Sequence, residues 1–90
     1  MAKVVWSDRA VSDVENIKAY IAQFNPSAAD RMAGRLVAAA PQLESVPAIG
    51  RATTRGRREL AIVTPYLIRY RITGNRVTIL EVRHGARRPD

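Results

Sequence analysis

The spacing of apolar side chains changes once along this chain, and that change constrains the fold more than any other feature. Between residues 8 and 43, apolar positions recur every three or four residues, the period of an α-helix. Between residues 59 and 82, apolar residues fall in three short runs separated by turn residues, as β-strands do. The sequence therefore predicts an α+β fold in which helices precede a meander of strands.

The first helix has clear start and stop signals. Ser7 is a favoured N-cap residue, and one apolar stripe continues to Phe24, so this helix is predicted to run from Asp8 to Phe24. Asn25 and Pro26 then break the chain and start a second helix, because asparagine caps well and proline is tolerated at the first helical position. We expect the two helices to form a tight antiparallel hairpin.

The second helical stripe is rich in alanine and contains a proline. Pro41 would remove one backbone hydrogen bond inside a helix, so a kink or an end is expected near Ala39 or Ala40, with one further turn to Leu43. Residues Ser45 to Gly56 contain two glycines, a proline and two threonines, which predict a loop.

Four strands are predicted in all. A short N-terminal strand covers Lys3 to Trp6, and a meander follows the loop. The meander strands are Glu59 to Val63, Tyr66 to Ile72 and Val77 to Val82. In the middle strand, Tyr66 and Tyr70 belong to the apolar side, whereas Arg69 and Arg71 belong to the other. The predicted architecture is an N-terminal strand and a two-helix antiparallel hairpin packed on a small antiparallel sheet.

Length and residue usage limit the class of protein. Ninety residues make one domain, residues 1 to 90, and the absence of cysteine removes disulfides and cysteine-based zinc sites. The N-terminal apolar run meets charge at Asp8, too early for a signal peptide or a membrane span, so we expect a soluble cytoplasmic protein without membrane contact. No sequence motif for phosphate, zinc or acyl-transfer chemistry is present, and neither a metal nor a cofactor is expected.

The positive charge is confined to the second half of the chain. Residues 1 to 50 are neutral, whereas residues 51 to 90 carry ten arginines against three acidic residues and account for the whole net charge of +7. Arginine suits bidentate contact with phosphate or carboxylate. The expected partner is therefore a polyanion or an acidic protein, although a basic surface that only keeps a small domain soluble is an equally open alternative.

Four segments resemble the RelE/ParE superfamily of bacterial toxins, in order and with compatible spacing. They are Trp6-Ser7 to Ala10 with Asp13 and Ile17; Tyr20-Ile21 with Asn25-Pro26 and Ala28-Ala29; Pro47 to Gly50-Arg51; and Arg58-Glu59-Leu60 to Pro65-Tyr66-Leu67-Ile68 and Tyr70-Arg71 with Val82, His84-Gly85-Ala86-Arg87. The last segment is the most specific. The resemblance implies the toxin of a type II toxin-antitoxin pair, neutralised by an acidic antitoxin in a hetero-oligomer.

The superfamily has two branches with different chemistry. RelE-like toxins cut mRNA in the ribosome, whereas ParE-like toxins inhibit DNA gyrase. The nuclease branch carries an arginine in the middle strand and a tyrosine or histidine near the C-terminus, where this chain has Leu67 and Gly85-Ala86. Cleavage through the 2′-hydroxyl needs proton-transfer groups and cations. The resemblance therefore favours the ParE-like branch.

Several single residues have two alternative roles, one catalytic and one structural. If the chain is a nuclease, the candidate catalytic residues are Glu59, Arg69, Arg71, Arg83 and His84, with Arg58 beside them. The competing interpretation makes His84 structural and pairs Glu59 with Arg58, Arg69 or Arg71. Tyr66 and Tyr70 are expected in the core.

Two binding surfaces are predicted. The antitoxin is expected to contact an apolar groove and two arginines, formed by Val14, Ile17, Ile21, Met32, Leu36, Arg69 and Arg71. A basic tail is the candidate contact with gyrase, through Arg83, His84, Arg87 and Arg88. Three hypotheses remain: a ParE-like gyrase inhibitor, a RelE-like ribosome-dependent endoribonuclease, and a non-toxic basic module that binds nucleic acid.

Overall fold

The computed structural model describes residues 1–85, and the predicted tail contacts Arg87 and Arg88 lie outside them. The elements are β1 (Lys3–Trp6), α1 (Asp8–Ala22), α2 (Pro26–Val37), α3 (Ala39–Ser45), β2 (Arg51–Ala52), β3 (Arg57–Val63), β4 (Tyr66–Thr73) and β5 (Arg76–His84). Short 3₁₀ turns at Pro47–Ile49 and Thr54–Gly56 flank β2. Over this part of the chain, no helix is both long and apolar enough to cross a membrane.

The helix hairpin begins with the predicted caps. The Ala10 N–H donates to the Ser7 hydroxyl at 3.0 Å, and the Ala28 N–H donates to the Asn25 side chain at 3.0 Å. Helix α1 ends at Ala22, two residues earlier than predicted, because the chain turns back on the Ile21 carbonyl before Asn25 caps α2. Helices α1 and α2 then pack against each other as the predicted hairpin.

The predicted interruption of the second helical stripe is a complete break. Helix α2 ends at Val37, and α3 starts at Ala39 after the single residue Ala38. Pro41 is the third residue of α3, and in the first turn of a helix its missing N–H leaves no intrahelical hydrogen bond unmade. Leu43 follows in the same short helix and is fully buried.

The sheet has five strands in the order β1-β5-β4-β3-β2. Strand β1 pairs with β5 in parallel, and the other neighbours are antiparallel. Parallel neighbours need a long crossover connection, which here starts with the helix hairpin and continues through β2, β3 and β4. Strand β2 lies in the segment predicted as a loop. It has only two residues, which is too short for a strand periodicity to show in the sequence.

Helix α1 completes the edge of β5 where β1 stops. The β1 register ends with Trp6 opposite Ile79. Beyond that point, the Ser7 hydroxyl donates to the Leu80 carbonyl at 2.9 Å, and the Asp13 carboxylate accepts the Val82 N–H at 2.9 Å. Side chains of the helix thus satisfy backbone groups that would otherwise lack a strand neighbour. This anchors the hairpin to the sheet at a fixed position.

The core lies between the helices and one sheet face. Its fully buried side chains include Leu36, Leu43, Ile68, Tyr70, Val77 and Ile79. Tyr70, predicted to be buried, also joins the loop to the sheet, since its hydroxyl donates to the Pro47 carbonyl at 2.6 Å and accepts the Gly50 N–H at 2.8 Å. A Cβ at Gly50 would stand 2.7 Å from that hydroxyl, so only glycine fits there.

We expect Tyr70→Phe to lower the free energy of unfolding by about 1–3 kcal/mol, because the variant leaves the buried Gly50 N–H and Pro47 carbonyl without their partner. Urea denaturation followed by circular dichroism measures the loss. Tyr66→Phe is the matched control, since Tyr66 is only partly buried and its ring packs on His84. Equal stability of the two variants would contradict a structural role for the Tyr70 hydroxyl.

Candidate functional site

The sheet face that turns away from the core carries a row of alternating charges. Cross-strand register places Arg51 opposite Glu59, Glu59 opposite Arg69, and Arg69 opposite Glu81. Side chains directly opposite each other on neighbouring strands lie on the same face. Along this row, which crosses β2, β3, β4 and β5, the side-chain charges therefore alternate between positive and negative.

Short contacts confirm that this row is one ion cluster. Glu59 accepts from Arg51 at 2.9 Å, from Arg69 at 2.9 Å and from Arg83 at 3.0 Å. Arg69 also reaches Glu81, with 3.1 Å between a guanidinium nitrogen and a carboxylate oxygen. Every one of these arginines is therefore at least partly neutralised within the chain.

Helix α1 adds a sixth charged side chain to the cluster. Arg9 lies 3.2 Å from the Glu81 carboxylate, and Arg83 also approaches Glu81, at 3.6 Å. The side chains of Arg69 and Arg83 are only 18% and 17% exposed, whereas that of Arg9 is 71% exposed. The middle of the cluster is thus shielded from water, whereas Arg9 at one end and Arg51 at the other are exposed.

Glu59 is held as a carboxylate. The hydrogen bond from Arg69 is the largest effect and lowers the pKa of Glu59; burial opposes the shift, and the charges of Arg69, Arg83 and Arg51 lower the pKa further. A carboxylate with a lowered pKa is a weak general base near neutral pH. The predicted pairing of Glu59 with Arg69 is confirmed, and the partners Arg51 and Arg83 were missed.

Arg58 and Arg71, the other expected partners of Glu59, are placed elsewhere. Arg58 donates to the Gly50 carbonyl at 2.8 Å, on the side of the sheet that Tyr70 shares. Arg71 is exposed and stands opposite Arg57. Strand alternation could have separated Arg58 from Glu59, because consecutive strand residues point to opposite faces. The choice between Arg69 and Arg71, which share a face, depends on the strand register.

Two predicted tail residues belong to strand β5 instead. Arg83 lies inside the ion cluster, and the His84 ring packs edge-on against Tyr66 with 5.6 Å between ring centroids. The expectation that both residues form part of an exposed tail is wrong, because β5 continues to His84 in register with β4.

Leu67 and Gly85, at which the sequence departs from the resemblance to the nuclease branch, lie next to each other. Leu67 pairs with Arg83, and the Gly85 N–H donates to the Pro65 carbonyl at 2.8 Å. A Cβ at Gly85 would be 3.7 Å from the Leu67 side chain. An aliphatic side chain and a glycine thus occupy this spot, where neither can transfer a proton or carry positive charge.

An apolar groove lies on the helix hairpin and has a volume of about 250 Å³. It is lined by Trp6, Val11, Val14, Glu15 and Val37. Val14 is one of the residues predicted for the antitoxin groove. Val11 and Val37 were missed, although Val11 flanks the predicted stripe; they are 43% and 54% exposed.

The remaining predicted groove residues lie deeper. Ile17 and Met32 are partly buried and pack on the core, and Ile21 is also partly buried. Leu36 is completely buried, so its assignment to an exposed groove is corrected. Leu36 of α2 belongs to the same core cluster as strand residues such as Ile68, and helical periodicity alone does not separate core positions from groove positions.

We expect Glu59→Gln to destabilise the fold at neutral pH by about 1–3 kcal/mol, between the values for exposed and fully buried ion pairs. Because the folded-state pKa of Glu59 is lowered, its stabilisation is present above the unfolded-state pKa and is lost as pH falls through the folded-state value. The stability difference between wild type and variant should therefore shrink as pH falls below about 4.5.

Urea titrations between neutral and acidic pH measure this difference. Glu15→Gln is the control, because Glu15 is exposed and belongs to none of the ion pairs among residues 1–85. A destabilisation by Glu59→Gln that persists unchanged at acidic pH would mean that the carboxylate charge is not what stabilises the cluster.

The similarity to known proteins extends over nearly the whole chain. The protein-family model described as the ParE toxin of the type II toxin-antitoxin system parDE matches residues 4–89. Toxin RelE2 of Caulobacter vibrioides is 49% identical, over 97% of this chain and 99% of its own length. The putative toxin Y4kP of Sinorhizobium fredii is 38% identical, over 92% of this chain and 88% of its own length.

A solved structure shares the fold. A chain of the chromosomal ParDE toxin-antitoxin system from P. aeruginosa superposes with a TM-score of 0.81, covering 93% of this chain and 96% of that one, at 24% identity. The five-stranded sheet and helix hairpin are therefore the architecture of a known toxin-antitoxin protein. Together with the family match, this identifies the chain as a member of the ParE toxin family, within the RelE/ParE superfamily of type II toxins.

Proposed function

We propose that this toxin inhibits DNA gyrase and that a cognate acidic antitoxin neutralises it in the cytoplasm. The observation that carries the proposal is the pair of adjacent positions Leu67 and Gly85. In the nuclease branch of the superfamily, the resemblance implies an arginine at the first of these positions and a tyrosine or histidine near the second. Without them, cleavage of RNA would lack a cation for the phosphorane charge and a proton-transfer group.

The ion cluster supports the same proposal. Of the candidate catalytic residues, Arg69 and Arg83 both bind the Glu59 carboxylate. Guanidinium groups already engaged by carboxylates are less available to a transferring phosphate, and the lowered pKa of Glu59 makes it a weak base. This arrangement suits a rigid binding surface better than a nuclease centre.

A second candidate function is the RelE-like endoribonuclease. One observation favours it: the rings of Tyr66 and His84 pack 5.6 Å apart, close to Leu67 and Gly85. Both side chains can transfer protons. Family membership gives no support to the third hypothesis, a non-toxic module that binds nucleic acid.

The two toxin activities have different effects on the cell within minutes of induction of the toxin. If the toxin inhibits gyrase, DNA synthesis should fall first and the DNA-damage response should follow, while mRNA stays intact. Pulse labelling of DNA and protein, with primer extension on abundant mRNAs, follows both processes in the same culture. Prompt codon-positioned mRNA cleavage with continuing DNA synthesis would contradict gyrase inhibition and support the nuclease.

A truncated variant sharpens this experiment. Removal of residues 86–90 deletes Arg87 and Arg88 and should abolish toxicity without loss of antitoxin binding, because the Gly85 N–H still reaches the Pro65 carbonyl. Co-expressed antitoxin serves as the control for toxicity itself. Full toxicity of the truncated chain would remove the tail from the proposed contact with gyrase.

The antitoxin is proposed to cover the groove on the helix hairpin. Val37→Asp should weaken toxin-antitoxin binding by roughly tenfold or more, because a carboxylate would be buried against apolar side chains. Val46→Asp is the matched control, since Val46 is 52% exposed, compared with 54% for Val37, and lies outside the groove lining. Calorimetry measures both, and equal affinities would place the antitoxin elsewhere.

A further inference from the structure

Beyond the ion cluster, the same sheet face carries two more rows of side chains. In the first, Arg57 stands opposite Arg71, and Arg71 stands opposite Thr78. In the second, Thr73 stands opposite Arg76, which stands opposite Lys3 of β1. These rows lie two and four residues along β4 from the row that contains Arg69, so they share its face.

Like charges face each other in both rows. Arg57 neighbours Arg71, and Lys3 neighbours Arg76, an arrangement that destabilises a sheet unless something outside the chain compensates. Among residues 1–85, none of these four side chains forms an ion pair with a carboxylate. We call Lys3, Arg57, Arg71 and Arg76 the basic band.

The dimensions of the band follow from sheet geometry. Neighbouring strands are about 4.8 Å apart, and two residues along a strand span about 6.7 Å. The backbone positions of successive band residues are therefore separated by roughly 5–8 Å along a diagonal that crosses β3, β4, β5 and β1. Arg71, Arg76 and Lys3 are exposed, and Arg57 is partly exposed.

The surroundings of the band favour nucleic acid over an acidic protein. Protein interfaces have an apolar centre, whereas interfaces with DNA are more polar and strongly basic. The large exposed apolar side chains of residues 1–85 lie outside these two rows. The rows contain Thr73 and Thr78, whose hydroxyls can donate to phosphate oxygens, and the partly buried Val5 of β1 opposite Thr78.

We propose that the basic band binds the phosphate backbone of duplex DNA. The inference rests on the proposed function in one respect: the duplex is the DNA segment that gyrase holds. The toxin would then contact the enzyme and its DNA together, with the band on the DNA. The neutralised ion cluster beside the band limits the contact to these two rows.

The test measures binding of the full-length toxin to a fluorescein-labelled DNA duplex of mixed sequence by anisotropy, from about 50 to 200 mM salt. The variant Arg71→Gln/Arg76→Gln removes two cations that form no ion pair within residues 1–85. Its matched control is Arg31→Gln/Arg35→Gln, which removes two exposed arginines of α2 and changes the net charge equally.

The band variant should bind DNA roughly fivefold or more weakly, and the slope of log K against log salt should become shallower by about two. The helix variant should keep the wild-type slope. Equal slopes for both variants would overturn the proposal, because net charge alone would then explain the binding. Tighter band-dependent binding of an RNA duplex than of DNA would overturn the choice of DNA.

Two further measurements separate this inference from the proposed function. If the band variant loses antitoxin affinity but keeps DNA affinity, the band is a protein-binding surface and the inference fails. A supercoiling assay with purified gyrase gives the other distinction. If wild type and band variant inhibit gyrase equally, the band has no role in inhibition, and gyrase inhibition itself still stands. If the toxin shows band-dependent DNA binding but does not inhibit gyrase, gyrase is not the target, and DNA binding by the band is supported.

Discussion

The register of β4 between β3 and β5 is the constraint on which the rest of the molecule depends. It places Ile68 between Leu60 and Val82 on the buried face, and Arg69 between Glu59 and Glu81 on the other. A shift of one residue would exchange these faces and bury the guanidinium groups. The core and the ion cluster therefore fix the same register from opposite sides of the sheet.

This register also divides the outer face by charge. The row through Arg69 is neutralised within the chain, while the two rows beyond it carry cations that pair with no carboxylate of residues 1–85. An apolar groove lies on the helix hairpin instead. We propose that the two surfaces serve different partners, the groove an antitoxin and the basic face a target, because burial of apolar area and neutralisation of charge suit different ligands.

Local signals explain why much of the fold was predictable. Ser7 and Asn25 cap the helices as expected, and Gly74 adopts the positive φ of 59° that the hairpin between β4 and β5 uses. The charge partners were harder to predict, because Glu59 draws on arginines from three strands. Sequence separation gives no measure of such distances, so Arg51 and Arg83 were missed.

The sequence by itself determined the kinds of element, their order, the basic second half and the resemblance to a toxin family, since these follow from periodicity, capping residues and local motifs. Only the tertiary structure decided that β1 lies parallel to β5, that Leu36 is buried, and that Arg69 pairs with Glu59 while Arg71 pairs with no carboxylate of residues 1–85. The reason is physical: burial and ion pairing depend on which elements meet, and residues far apart in the chain supply those contacts.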